Sequence, residues 1–163
     1  MKTNYLFPHR LKSISGVLFI ISFITLVVFY SVPELNELQL NATVFAIIAD
    51  ADNGKIFNGI TFFGCIENSI ADELLVLIVL TSGIIYAFSK EKNEDEMVAS
   101  IRLQSLAWAT IINYALILLS YLFVYGFIFL NVLMAVMFSQ LLIFILLFRF
   151  KMFRFYNSHQ DEE

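Results

Sequence analysis

LQSLAWATIINYALILLSYLFVYGFIFLNVLMAVMFSQLLIFILLF, from Leu103 to Phe148, is 46 residues long and carries no charge. About 20 residues at 1.5 Å each already cross a hydrocarbon core of about 30 Å. One helix has no use for twice that length, whereas two helices with a tight turn do. The turn is placed at Tyr125-Gly126, because glycine tolerates the backbone angles of a turn. Tyr121, Tyr125 and Phe127 cluster there, as aromatic side chains do at a membrane interface. The stretch therefore predicts spans over residues 103–124 and 127–148.

The rest of the chain follows the same logic. Ser13 to Val32 is a charge-free run of 20 residues that stops at Pro33 and follows Lys2, Arg10 and Lys12. A signal peptide also begins with basic residues, but its apolar stretch is about 7–15 residues and a small-x-small site follows it. Here Phe29 and Ser31 flank Tyr30, so the run reads as an uncleaved first span, residues 13–32. Leu74 to Ser89 is uncharged between Glu73 and Lys90, and extended back to Ile70 it makes a span over residues 70–89. Ser69 and Asp72 have capping-box spacing, and Asp72 and Glu73 suit the dipole of a helix start. Hydrophobic residues make up 60% of the 163 and charged residues 15%. Soluble domains run near 45–50% and about 25%, so both departures favour lipid as solvent.

The cations orient these spans. Lys2, Arg10 and Lys12 precede the first, Lys90, Lys92 and Arg102 separate the second from the third, and Arg149, Lys151 and Arg154 follow the fourth. Only Lys55 falls on the other side. The positive-inside rule then puts both termini, the loop 90–102 and the tail 149–163 in the cytoplasm. Three or five spans would break this separation. The expected fold is an all-α membrane protein of the bacterial inner membrane, a single multi-pass domain over residues 1–163 with four antiparallel transmembrane helices. Its third and fourth helices would pack through Ala107, Ala109, Asn113, Ala115 and Ser120 against Ala135, Ser139 and Gln140.

Residues 33–69 are left as an extracytoplasmic segment, acidic through Glu34, Glu37, Asp50, Asp52 and Glu67. Leu40–Ile48 and Ile56–Phe63 are rich in β-branched and aromatic residues, and Asp50-Ala51-Asp52-Asn53-Gly54 between them is a turn signal. A small β-hairpin is expected. Short amphipathic helices on the membrane surface are the alternative.

Few residues invite chemistry. Asp50-x-Asp52-x-Gly54 opens like a calcium loop, but the fifth, sixth and twelfth positions hold Gly54, Lys55 and Thr61 where such a loop needs an oxygen ligand, glycine and glutamate. His9 and His159 are the only histidines and Cys65 the only cysteine, so zinc sites, thiol pairs and an internal disulfide have no basis. Phosphate-loop and serine-hydrolase motifs are missing, and no basic patch suggests nucleic acid. No metal, cofactor or catalytic set is expected.

Three polar groups stand out instead. Asn113 and Gln140 lie thirteen residues before and fourteen after Gly126, so a helical hairpin brings them to matched depth. Their amides are expected to bond across the helices, worth about 0.6–2 kcal/mol in lipid. Asn131 lies nearer the outer end. In the middle loop, Lys92 and Glu96, and Glu91 and Asp95, stand four apart, while Asp95, Ala99 and Arg102 share a helical stripe. The third helix is expected to start near Glu94 and project about two turns into the cytoplasm. Glu94, Asp95, Glu96 and Arg102 then form a docking loop for a partner, or Arg102 snorkels to lipid phosphate. Glu67, Asp72 and Glu73 form an outer acidic cluster.

The segments Ile66-Glu67-Asn68-Ser69-Ile70-Ala71-Asp72-Glu73, Phe88-Ser89-Lys90-Glu91-Lys92-Asn93-Glu94-Asp95-Glu96 and Ile101-Arg102-Leu103-Gln104-Ser105-Leu106-Ala107-Trp108-Ala109 resemble a group of small four-helix bacterial inner-membrane proteins with no assigned activity. The likeness covers roughly residues 45–150 and implies the fold alone. The chain does not resemble small multidrug exporters, which keep a carboxylate inside the first span, or CDP-alcohol phosphotransferases, whose aspartate-rich motif it lacks. The functional expectation is a non-enzymatic regulatory or scaffolding subunit. Its partners would be the lipid bilayer, a membrane or cytoplasmic protein, and a second copy of the chain. The alternative is a small transporter or channel subunit that forms a polar path as an oligomer, lined by Asn113 and Gln140. A lipid-modifying enzyme would have to use Asp95 with Arg102.

Overall fold

The computed structural model describes residues 6–32, 40–50, 60–92 and 94–160. Its elements run α1 (His9–Ser31), β1 (Asn41–Asp50), β2 (Ile60–Ser69), α2 (Ala71–Ala87), α3 (Glu96–Phe123) and α4 (Ile128–Gln160). Four helices thus carry a two-stranded antiparallel hairpin between the first and second. Three of them, α1, α3 and α4, are long and apolar enough to cross a membrane. α2 has 17 residues and rises roughly 25 Å, less than the hydrocarbon thickness of about 30 Å. The chain forms two compact units, Met1–Phe19 with Leu80–Glu163, and Ile20–Val79.

In the larger unit, α3 and α4 form a helical hairpin. Asp95 caps α3 from an extended backbone (φ −115°, ψ −179°), and its Oδ1 accepts the Val98 N–H at 2.7 Å. This satisfies one of the amides that a helix start leaves unpaired. At the far end the Val124 N–H donates to the Ser120 carbonyl at 2.8 Å, and Gly126 turns the chain at φ 76°. That left-handed angle explains the glycine.

The buried face of α3 is Val98, Arg102, Ser105, Ala109 and Asn113, spaced by three or four. Ala107 and Ala115, expected in the helix contact, are exposed, as is Ala135. Two residues along a helix turn it by roughly 200°, so Ala107 cannot share a face with Ala109, nor Ala115 with Asn113. The apolar core gathers Ala87, Val98, Ala109, Phe144, Phe148 and Met152. Phe144 stacks on Phe88 and on Phe148, with centroids 5.5 and 6.2 Å apart.

In the smaller unit, β1 and β2 pair from Asn41↔Ser69 to Asp50↔Ile60. The first strand lies near its expected place. The second runs from Ile60 to Ser69 among the described residues, six residues past its expected end at Phe63, because a ten-residue β1 needs a partner of equal length across the turn; residues 56–59 of the expected strand lie outside the described residues. Ser69 therefore ends a strand opposite Asn41 and does not cap α2, as its spacing from Asp72 had suggested. The Ile70 N–H donates to the Leu40 carbonyl (3.2 Å), which carries the chain from sheet to helix. The ladder skips the position of Ile47 and Phe63, where Phe63 takes φ 53°. Glu34, Glu37, the turn residues 51–54 and Lys55 lie outside the described residues, as do Lys2 and Pro33. The side chains of Asp50 and His159 do so too.

Candidate functional site

Several charged groups of the larger unit meet where the start of α1, the residues that follow α2, the start of α3 and the Phe144–Arg149 stretch of α4 come together. The backbone builds the frame. Phe7 N–H donates to the Phe88 carbonyl and Lys90 N–H donates to the Phe7 carbonyl, both at 3.0 Å, a parallel bridge around Ser89. His9 Nδ1 bonds the Lys90 carbonyl at 3.0 Å. The residues ahead of α1 are thereby joined to those leaving α2.

Two ion pairs fill this frame. Lys12, 6% exposed, donates from Nζ to Glu91 Oε1. Arg102, 4% exposed, grips Glu94 with both terminal nitrogens: Nη1 to Oε1 at 2.5 Å and Nη2 to Oε2 at 3.0 Å. This is the forked geometry in which arginine binds a carboxylate best. Nη2 also lies 3.4 Å from the Ser89 carbonyl, and the guanidinium carbon sits 5.1 Å from the Phe148 ring centroid. Arg102 Nε has no hydrogen-bond partner among the described residues. Glu94 Oε2 accepts the Glu91 N–H at 2.9 Å, which links the two pairs. Burial alone would push the Glu94 carboxyl up. Hydrogen bonds from Arg102 and the Glu91 amide, with the charges of Arg102 and Lys12, outweigh burial and hold it below the ordinary carboxylate value.

These contacts redraw the docking loop. Glu94 and Arg102 are engaged with each other, and Asp95 with the end of its own helix. Arg102 pairs with Glu94 rather than Asp95, because Asp95 turns its carboxylate to the helix amide. Nor does Arg102 snorkel outward; it is buried under Phe148. Glu96 is exposed in the first turn of α3. Sequence spacing missed the Lys12–Glu91 pair, 79 residues apart, for which no local pattern exists.

Inside the α3–α4 hairpin, Asn113 and Gln140 do not bond each other. Ser139 Oγ donates to Asn113 Oδ1 at 2.5 Å, and Gln140 Nε2 donates to Thr110 Oγ1 at 3.0 Å. Thr110 and Asn113 are one turn apart on α3 and face neighbouring residues of α4, so each amide meets a hydroxyl. A hydroxyl close in sequence to each amide, Thr110 one turn before Asn113 and Ser139 next to Gln140, was the available signal. Asn131 is exposed.

Two of the outer acids, Asp72 and Glu73, come together at the start of α2. Glu67 is exposed on β2 opposite Thr43, while Glu73 accepts from Asn68 Nδ2 at 2.8 Å and Asp72 stands beside it in the first turn of α2. Among the described residues, no three His, Cys, Asp or Glu side chains are placed to hold a metal. Comparisons with protein-family models, curated proteins and solved structures found no match.

Proposed function

We propose that this chain is a bacterial inner-membrane protein that crosses the bilayer four times. Both termini and the loop 90–102 face the cytoplasm, and the chain serves without catalysis as a structural or regulatory subunit. The observation that carries this reading is the convergence of helix ends. In a chain of four antiparallel spans, the start of α1, the end of α2, the start of α3 and the end of α4 share one face. Lys12–Glu91 and the Phe7 bridge join the start of α1 to the residues that follow α2, Arg102–Glu94 ties that segment to the start of α3, and Phe148, at the close of the uncharged stretch of α4, lies against Arg102. The cations flank the same ends, as the positive-inside rule requires.

α2 is short for a span by roughly 5 Å. Such a mismatch costs only fractions of a kcal/mol per Å and is absorbed by local thinning or by flanking side chains. Phe88 and Lys90 continue the chain with their backbone groups already paired to Phe7.

The non-catalytic part of the proposal rests on how the polar groups are used. The junction carboxylates and cations hold helices together, and the Asn113 and Gln140 amides bond within one helical hairpin. That use favours scaffolding over the polar path of a transporter.

Topology is the direct test. Single cysteines at positions 55, 92 and 151, in a Cys65→Ser background, are treated with a membrane-impermeant maleimide on spheroplasts. Labelling of position 55 alone is expected. Labelling of 92 or 151 before lysis overturns the four-span reading.

A further inference from the structure

Next to the junction is a cleft lined by Lys12, Tyr86, Phe144, Ile145, Phe148 and Arg149. Arg149 is the first charge after the 46 uncharged residues of Leu103–Phe148, so it stands where α4 leaves its apolar stretch. Its Nε donates to the Tyr86 phenol oxygen at 2.8 Å and its Nη2 donates to the same atom. The guanidinium carbon lies 5.2 Å from the centre of that ring. Tyr86 is itself seated against α1: a side chain at Gly16 would bring its Cβ within 2.8 Å of the ring.

This arrangement prepares two donors and a positive charge. The Tyr86 oxygen accepts twice from Arg149, which leaves its own O–H to donate elsewhere. Arg149 keeps its Nη1 donors, and no carboxylate pairs with it among the described residues. Lys12 and Arg102 are matched by Glu91 and Glu94, so Arg149 leaves the cluster with a surplus cation. The other walls, Phe144, Ile145 and Phe148, are apolar.

We infer that this cleft binds the phosphate of an anionic membrane phospholipid, held by Arg149 and Tyr86 with Phe144, Ile145 and Phe148 against its apolar part. A basic cleft between helices at the cytoplasmic boundary is the usual chemistry for such a headgroup. The apolar walls select a lipid over a free anion, which would gain nothing from them. The inference rests on the membrane reading proposed above.

The test uses the full chain, purified in mild detergent, stripped of lipid and examined by native mass spectrometry. Phosphatidylglycerol, phosphatidylcholine and inorganic phosphate are added in turn. Preferential retention of phosphatidylglycerol is expected. Arg149→Gln should reduce that retention about fivefold to tenfold, the scale of one cation beside an anionic headgroup. Arg154→Gln, with the same loss of charge further along α4, should leave it nearly unchanged. Tyr86→Phe keeps the ring and removes the donor; a severalfold loss is expected, and it supplies the decision if Arg149→Gln aggregates. Equal retention of the two lipids by the wild type, equal effects of the two arginine variants, or displacement of the lipid by phosphate at equal concentration overturns the inference. Flotation with phosphatidylcholine vesicles separates the two levels. A chain that floats without preferring phosphatidylglycerol refutes the cleft alone, whereas one that stays in the aqueous layer refutes the membrane reading as well.

Discussion

At the junction, Lys12 finds Glu91 across 79 residues and Arg102 finds Glu94 across eight. In the β1–β2 hairpin, every pairing from Asn41↔Ser69 to Asp50↔Ile60 follows from one reversal of the chain. The junction buries its charges to 6% exposure or less at the two cations, while Phe45, Ile47, Ile48, Phe62 and Phe63 of the hairpin are all more than 60% exposed. A buried charge is tolerable only if a partner is built around it, so the junction depends on several elements at once. A two-stranded hairpin depends on its own ladder and is marginal alone in water. The junction should therefore be the more sensitive of the two to substitution.

The largest expected effect is at Arg102. Arg102→Met strands the Glu94 carboxylate in a half-buried site, and breaking a buried ion pair typically costs about 3–5 kcal/mol. Thermal unfolding in detergent should show a large drop in Tm. Replacing both partners, Arg102→Met with Glu94→Leu, should recover most of it. A single-variant loss no greater than the ±0.5 kcal/mol or so of an ordinary surface substitution would erase the contrast between the two regions.

Acid should produce a smaller and reversible version of that loss. The Glu94 carboxyl sits below its ordinary value in the folded chain, so its contribution is complete above the unfolded value of about 4.3. It fades as the pH falls from there through the lower folded value. The wild type should lose stability in that window relative to Glu94→Gln, whose amide does not titrate. Parallel curves for the two proteins across it would show that Glu94 is not held by Arg102.

The smallest effect belongs to the hairpin. Phe63 adopts φ 53° and is 71% exposed. A left-handed backbone costs a residue with a Cβ about 1–2 kcal/mol, and glycine escapes that cost while losing roughly 0.5–1 kcal/mol to chain entropy. Phe63→Gly should stabilise the ladder by up to about 1 kcal/mol, seen as slower amide exchange at Ala46 and Ile48. Faster exchange would mean that the ring contributes a contact of its own.

Solvent preference was legible residue by residue. The uncharged run 103–148 and the cations at its flanks announce two helices long and apolar enough to cross a membrane and their turn at Gly126, because apolarity and charge add along a chain whatever it packs against. The hairpin was legible for a similar reason: its strands declare themselves by β-branched and aromatic residues. Its second strand runs past the expected end at Phe63 because the length of β2 is set by the ladder with β1, not by its own composition. The Ser69–Asp72 spacing misled in the same way, since a strand partner claimed Ser69 first.

Packing decided the remainder. Asn113 and Gln140 were visible as polar residues in an apolar stretch, yet the rotation of α3 against α4 gave them Ser139 and Thr110 as partners and turned Ala107 and Ala115 outward. The loop acids were visible too, but their roles depended on which cation the fold delivered to them. A hydrogen bond or ion pair reaches about 3 Å, and only the folded backbone brings atoms 79 positions apart within that distance. Segments apolar enough to enter lipid are read from single side chains; the partner each polar atom keeps is read from the assembled helices.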